Sequence, residues 1–222
     1  DSIESYYKYL DDLLLNNQKK FILTVNPEMI MNAEKNPQLN SIMFNESNSL
    51  TADGIAVIKK AKMYGINIQD RITGIDIATH LLEECNNLHK SLFLFGSTNE
   101  VIEDLVKVIK EKYFNIKLLG YSDGYIENKD QVFEIIEALS PDVCLVGLGI
   151  PNQELLIAKH IGKFNKGLFI GVGGSFDVLS GHKKRAPKII IKCNLEWLYR
   201  IICEPKRLKR FINNNVIFML KK

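Results

Sequence analysis

Four cysteines in 222 residues form no Cys-x-x-Cys pair, which removes the redox and zinc motifs that depend on that spacing. Cys144 sits inside an apolar run, where a thiol packs as a small hydrophobe, so a reducing compartment is expected. No apolar run approaches the roughly 20 residues of a spanning helix, and no secretory leader is expected. The expectation is a cytoplasmic protein without a membrane-crossing segment. No glycine-rich turn carries Gly-Lys-Ser/Thr, so there is no Walker loop. Gly147-Leu148-Gly149 lacks the third glycine of the dinucleotide fingerprint and meets Pro151 where that helix would start, which argues against a nicotinamide or flavin. No cofactor is expected. Repeats and low-complexity tracts are also missing, and no clear linker precedes Pro187.

What is present is ordinary for a folded domain: 46% hydrophobic and 25% charged residues, in a length that suits one large domain, or a domain with an appendage. The net charge of +3 conceals an asymmetry. From Lys183 to Lys222 there are 12 basic residues against Glu196 and Glu204, a balance of +10, whereas the rest carries 17 basic and 24 acidic groups, a balance of −7. A mildly acidic body with a strongly basic tail implies an anionic partner: a lipid surface, a pyrophosphate or a nucleic acid.

The chain alternates apolar runs with amphipathic stretches. Helix is expected from Ser2 through Leu14, with Asp1 or Ser2 as cap, and strands at Lys20 to Val25, Ser41 to Asn45, Ser91 to Phe95, Ile116 to Tyr121, Val143 to Val146 and Gly167 to Ile170. Residues 46–49 read as a polar linker. Helices fall between the strands, which gives right-handed βαβ units and a parallel sheet. Two successive strands end in glycine: Val146-Gly147-Leu148-Gly149 before Ile150-Pro151-Asn152-Gln153-Glu154, and Ile170-Gly171-Val172-Gly173-Gly174 before Ser175-Phe176-Asp177. Each turn alone is explained by tight strand-to-helix geometry. The pair suggests a crevice at one sheet edge where backbone N–H groups and helix N-termini can meet a diphosphate.

Asp53, followed by Gly54, opens a helix expected from Ile55 to Tyr64. An acid there is commonly a cap worth about 1 kcal/mol, and it could also face a cleft and take a proton. Arg71 is either an ion-pair partner of Asp70 or Asp76 or a phosphate clamp. In the tail, Leu208, Phe211, Ile212, Val216 and Met219 form one stripe. Arg200, Arg207 and Arg210 would share a face if helical geometry continued through Pro205. A charge run is usually a solvated face, but the apolar end from Val216 to Leu220 with basic flanks looks like an interfacial or docking element.

Together these segments resemble the bacterial glycosyltransferase family that includes WecG, TagA and CpsF, over nearly the whole chain. The resemblance is carried by Thr24-Val25-Asn26-Pro27-Glu28, Asp53-Gly54, Arg71-Ile72-Thr73-Gly74-Ile75-Asp76, Gly147 to Glu154, Gly171 to Asp177, Arg185-Ala186-Pro187 and Leu195-Glu196-Trp197-Leu198-Tyr199-Arg200 with Glu204-Pro205. It departs where Thr51-Ala52 replaces a Pro before Asp-Gly, where Ala56 replaces a Gly, and where Asn194 replaces a Gly before Leu-Glu-Trp.

The resemblance implies a Rossmann-like α/β core over residues 1–187, with helices flanking a parallel sheet, and a basic helical appendage over residues 188–222. It also implies an inverting, metal-independent transfer of a sugar, N-acetylmannosamine above all, from a UDP-sugar to a polyprenyl-diphosphate-linked N-acetylglucosamine. The sequence contains no Asp-x-Asp, in keeping with that. By the same resemblance Asp53 would be the general base, Thr24, Asn26 and Gln153 would orient sugar and diphosphate, and Arg71 would meet diphosphate charge. Gly149, Gly171, Gly173, Gly174 and Asp177 would lie at the nucleotide, and Arg200, Arg207 and Arg210 would close over the site at the inner face of the membrane. Self-association is a further expectation. The alternative is a non-catalytic nucleotide-sugar-binding module of the same fold. A nucleic-acid partner is not expected, because the basic charge is confined to one end and no nucleic-acid module accompanies it.

Overall fold

The computed structural model describes residues 2–221. Six strands, all parallel, form one sheet in the order β2-β1-β6-β5-β3-β4. In chain order the elements are α1 (Ile3–Leu15), β1 (Lys19–Val25), α2 (Pro27–Ala33), α3 (Pro37–Met43), β2 (Ser49–Ala52), α4 (Ile55–Met63), α5 (Gly74–Asn87), β3 (Ser91–Gly96), α6 (Asn99–Lys112), β4 (Lys117–Ser122) and α7 (Lys129–Leu139). Then come β5 (Val143–Gly147), α8 (Asn152–His160), β6 (Gly167–Gly171), α9 (Ser175–Leu179), α10 (Lys188–Lys192), α11 (Glu196–Cys203), α12 (Arg207–Phe211) and α13 (Ile217–Leu220).

The strands are apolar on both faces because both faces are covered. Side chains alternate across a strand, so Ile22, Leu92, Leu94, Leu145 and Ile170 pack with α1, α5 and α6 in one core cluster. Their neighbours Phe21, Leu23, Phe93, Phe95, Val146 and Phe169 pack with α2, α3, α7 and α8 in the other. Each fully buried Leu or Phe contributes about 1.5–3 kcal/mol. The chain leaves β1 for the sheet edge at β2, then crosses to β3 on the far side and later fills the gap with β5 and β6. That reversal beside β1 is a topological switch point, and ligands of open α/β sheets bind outside the strand C-termini at such points.

Two expected elements are corrected. Ser41 to Asn45 is not a strand: Ser41, Ile42 and Met43 end α3, whose start is fixed by Asn36 accepting hydrogen bonds from the Gln38 and Leu39 N–H groups and by Pro37 in its first turn. The buried pair Leu39 and Ile42 has helical spacing. The second strand is instead Ser49–Ala52, at the end of the stretch read as a linker, and pairs in register with β1 from Ile22 to Val25. A smaller correction concerns Pro151, which precedes α8 after a cis Ile150–Pro151 bond rather than opening its first turn. Ser2 caps α1 as expected, while Asp1 lies outside the described residues.

The tail also differs from the expected stripe. α11 stops at Cys203 and α12 starts at Arg207, so Arg200 does not continue one helical face into Arg207 and Arg210. Residues Ile212–Val216 form a π-helical turn, whose wider hydrogen-bonded loop rotates α13 relative to α12. Phe218 is consequently the buried side chain of this end, while Leu208, Ile212 and Val216 remain exposed. Phe211 stacks on Trp197 with ring centroids 4.5 Å apart.

Candidate active site

The C-terminal ends of β1, β2, β5 and β6 deliver the site. The Asp53 N–H donates to the Val25 carbonyl at 2.8 Å, and the Ile72 N–H to the Ala52 carbonyl at 3.0 Å. Thr51 Oγ1 adds a bond to the Ile72 carbonyl at 3.2 Å. These bonds bring the Arg71–Gly74 segment alongside the start of α4. Gly74 packs against β1 and β6: a Cβ there would be in ordinary contact, 3.5 Å from Thr24 Oγ1 and 3.8 Å from the Gly171 carbonyl oxygen. Thr24, Asp53, Gly74 and the β6 turn therefore share one corner.

Asp53 is not a helix cap: Gly54 holds that position of α4 with no side-chain bond. The carboxylate is densely surrounded, although part of its surface stays exposed, and the nearby Gly74 backbone N–H helps to hold its pKa down. Desolvation pushes its pKa up to about 6, against the opposing pull of Arg200, then Arg71; Glu196 adds to the rise. Such a group is ionised at neutral pH yet more basic than an ordinary Asp.

The expected partners of Arg71 are corrected. It pairs with neither Asp70 nor Asp76 but donates from Nη2 to Glu196 Oε2 at 2.8 Å. Glu196 begins α11 and its other oxygen, Oε1, accepts from Arg200. Asp76 is engaged by Arg185 and by Thr73 Oγ1.

The two glycine turns are joined by one amide. Gln153 is buried, and its Oε1 accepts from the Gly149 N–H at 3.1 Å and the Gly173 N–H at 3.0 Å. Nε2 donates to Glu154 Oε1 at 2.7 Å. Gly149 and Gly173 have φ of +78° and +50°, a region that suits glycine. Gly171 must lack a side chain because a Cβ would lie 2.5 Å from Gln153 Nε2. With its oxygen turned onto both turns, Gln153 ties them together.

The remaining predicted residues spread around this corner. Asn26 caps α2 through Oδ1 on the Met29 N–H at 3.0 Å. Gly174 adjoins Asp177, whose carboxylate pairs with Lys183 at 3.2 Å; Lys183 also reaches Glu204 at 3.3 Å. Arg207 is held by Glu204 at 2.8 Å, and Arg210 makes a two-pronged pair with Glu28 at 2.9 and 2.7 Å. The structure thus gathers Thr24, Asp53, Arg71 and Arg200 at one edge and Gln153, Gly149, Gly171 and Gly173 at the next. Arg207 and Arg210 sit on acidic partners further out. Two surface depressions of about 440 and 470 Å³, one lined by Gln38, Lys129, Asp130, Asn152, Leu155, Leu156 and Lys159 and the other by Met31, Asn32, Lys35, Asn213, Asn214, Ile217 and Lys221, contain none of these residues. Of the groups gathered at the strand ends, Arg71 is tied to α11 through Glu196.

Sequence reasoning assigned no role to Glu196 or Glu154, although both stand in the segments that carry the family resemblance. Glu196 is one of two acids in the basic tail, and that isolation is the signal. Glu154 is buried with Oε2 unpartnered, and burial pushes it up to about 7. Among the described residues no three His, Cys, Asp or Glu side chains cluster as metal ligands, and no helix is long and apolar enough to cross a membrane.

The sequence model of the Glycosyl transferase WecG/TagA/CpsF family matches residues 2–222. Among similar proteins, an N-acetylglucosaminyldiphosphoundecaprenol N-acetyl-beta-D-mannosaminyltransferase of Bacillus subtilis is 38% identical over 213 residues, covering 96% of this chain and 83% of its own. The protein of the same name from Bacillus spizizenii is 36% identical over 212 residues, with 95% and 82% covered. That from Staphylococcus aureus is 37% identical over 202 residues, with 90% and 78% covered.

Proposed function

This chain belongs to the WecG/TagA/CpsF family of glycosyltransferases, and from that premise we propose that it moves N-acetylmannosamine from a UDP-sugar to a polyprenyl-diphosphate-linked N-acetylglucosamine, with inversion and without a bound metal. The relatives' names supply the sugar and the acceptor. The observation that carries the reading is the placement of Asp53. A half-buried carboxylate with its pKa raised to about 6 lies at the strand ends, under the influence of Arg200 and Arg71 and one short step from the glycine turns.

In this reading the donor diphosphate lies at the turns of Gly149 and Gly171 to Gly174, where glycine lets the backbone approach closely and the start of the helix that follows favours phosphate. Asp53 removes the proton from the acceptor hydroxyl. The oxygen attacks the anomeric carbon from the face opposite the diphosphate, the new C–O bond forms as the bond to UDP breaks, and the configuration inverts. Negative charge appears on the departing UDP, and Arg71 and Arg200 are the cations beside it. Thr24 lines the sugar end, Asn26 adds its free amide N–H, and Asp177 borders the nucleotide. Arg207 and Arg210 add positive potential on the side of the basic tail. The exposed Leu208, Ile212, Ile217 and Leu220 among lysines and arginines suit an anionic bilayer surface, where the lipid acceptor resides. On this reading residues 188–222 are an appendage to the core of residues 1–187, and the protein works at the inner face of the membrane.

The test is a panel of UDP-sugars with a polyprenyl-diphospho-N-acetylglucosamine analogue, scoring product and UDP release for the wild type and Asp53→Asn. Turnover with the N-acetylmannosamine donor, lost in the variant while UDP binding persists, supports the reading. UDP binding with no turnover for any donor would leave the non-catalytic binding module instead.

A further inference from the structure

Glu196 joins two arginines from different parts of the chain. It is 3% exposed although it stands in the first turn of α11, within a tail dominated by basic charge. Oε2 takes Arg71 from the segment that borders Asp53, and Oε1 takes Arg200 one helical turn on. Two guanidinium groups placed side by side repel, and the repulsion grows as water is excluded. One carboxylate between them reduces a local charge of two to one. The bridge uses a single Nη2 on each arginine, so of the five N–H donors on each guanidinium most remain free for another anion.

We infer that Glu196 is a positioning residue, which holds Arg71 and Arg200 together beside Asp53 as a paired clamp for the diphosphate of the donor. The inference rests on the proposed reading of the cleft as a UDP-sugar site. Glu196 touches no substrate; it acts through the arginines. It also makes the clamp conditional, because Arg71 belongs to the sheet-edge segment and Arg200 to α11, so both cations are present only when α11 is seated. A packing role for a buried side chain is the competing explanation, and chemistry separates the two. Gln fills the same volume as Glu but has only one acceptor oxygen, so its NH2 group would face one guanidinium donor to donor.

The experiment is a mutant cycle on the full chain, with kcat/KM from UDP release, UDP affinity from calorimetry, and circular dichroism with melting to verify folding. Glu196→Ala and Glu196→Gln should each lower kcat/KM by about 10- to 100-fold and weaken UDP binding, whereas in an Arg71→Ala/Arg200→Ala background removal of Glu196 should change it by less than about 3-fold. Equal losses in both backgrounds, or full activity of folded Glu196→Gln, would overturn the assignment. If Glu196→Ala does not fold, the Gln variant decides alone. A wild type that binds no UDP would instead sink the donor reading, and the clamp with it; a wild type that binds UDP while the cycle is additive sinks only the clamp.

Discussion

Gln153 Nε2 donates a 2.7 Å hydrogen bond to Glu154 Oε1, and the second carboxyl oxygen of Glu154 is buried without a partner. Burial is the main reason the Glu154 pKa rises to about 7; the Gln153 bond opposes it and Glu28 adds to it. A carboxyl whose pKa is raised on folding gives its full stabilisation below its ordinary value of 4.5 and loses it as pH rises through 7. The rise from 4.5 to about 7 corresponds to roughly 3 kcal/mol lost between those limits. Glu154→Gln keeps an acceptor for Gln153 and carries no charge. It should melt several degrees above wild type at pH 8 and level with it at pH 4. Parallel melting curves across that range would show that the ionised carboxylate is not penalised.

Asp53 gives the rate its own pH dependence. A general base must be unprotonated, so kcat/KM should fall as pH drops through about 6 and level off above it. Asp53→Asn should lose about 100- to 10,000-fold and flatten that limb. Arg200 is the strongest of the charges that hold the Asp53 pKa down, so Arg200→Ala should move the limb to higher pH. A limb that stays in place would separate Arg200 from Asp53. Rate profiles at saturating and at low donor distinguish this from a change in binding.

Much of this arrangement is legible in the sequence, for identifiable reasons. Strands buried on both faces read as continuous apolar runs, so β3, β5 and β6 stand out. β2 does not, because Ser49, Leu50, Thr51 and Ala52 form a short edge strand with little apolar signal, and the apolar Ile42-Met43-Phe44 next to it reads more strongly as a strand. Asn36-Pro37 is the helix start that corrects it. Local sequence can name Asp53, Arg71 and Gln153, but partners across 125 residues, such as Glu196 for Arg71, are set by the fold. Nor can a period of 3.6 anticipate the π turn that brings Phe218, in place of Val216, into contact with the body.

Gly171 tests the amide that ties the two turns together. A Cβ at that position would meet Gln153 Nε2 at 2.5 Å and Glu154 Oε1 at 2.9 Å, and both side chains are buried with little room to yield. Gly171→Ala should destabilise the protein by about 1–3 kcal/mol. It should also weaken UDP binding, because the displaced amide no longer holds the two turns in shape. Gly162→Ala, with nothing within 4 Å of its Cβ, is the control and should change stability by less than about 0.5 kcal/mol. Denaturant melts and UDP titrations on both variants make the comparison.

The end of the chain after Glu204 is expected to be dispensable for folding and needed at the membrane. Both core clusters are built from buried residues no later than Phe176, so removing residues 205–222 should leave the sheet and its helices folded. What is lost is the burial of Phe218, the stack of Phe211 on Trp197 and a set of peripheral ties: Arg210 on Glu28, Lys221 on Glu34, and Lys60 Nζ on the Phe218 carbonyl with its charge over the Phe218 ring. Exposed pairs of this kind contribute about 0–1 kcal/mol each, too little to dominate stability. Lost with them are the exposed apolar side chains between basic ones that suit a bilayer surface. The truncated protein should therefore stay folded, melt a few degrees below the full chain, and bind UDP through the retained Arg71 and Arg200. Its binding to anionic vesicles should fall, and so should turnover on a lipid-linked acceptor, by about 10-fold or more if each lost basic contact is worth ~1 kcal/mol at the surface. The deficit should shrink as salt rises, since screening weakens the full chain's attraction toward that of the truncated form. Equal vesicle binding by the two forms would remove the tail from any role at the membrane and leave its charge to serve the diphosphate alone.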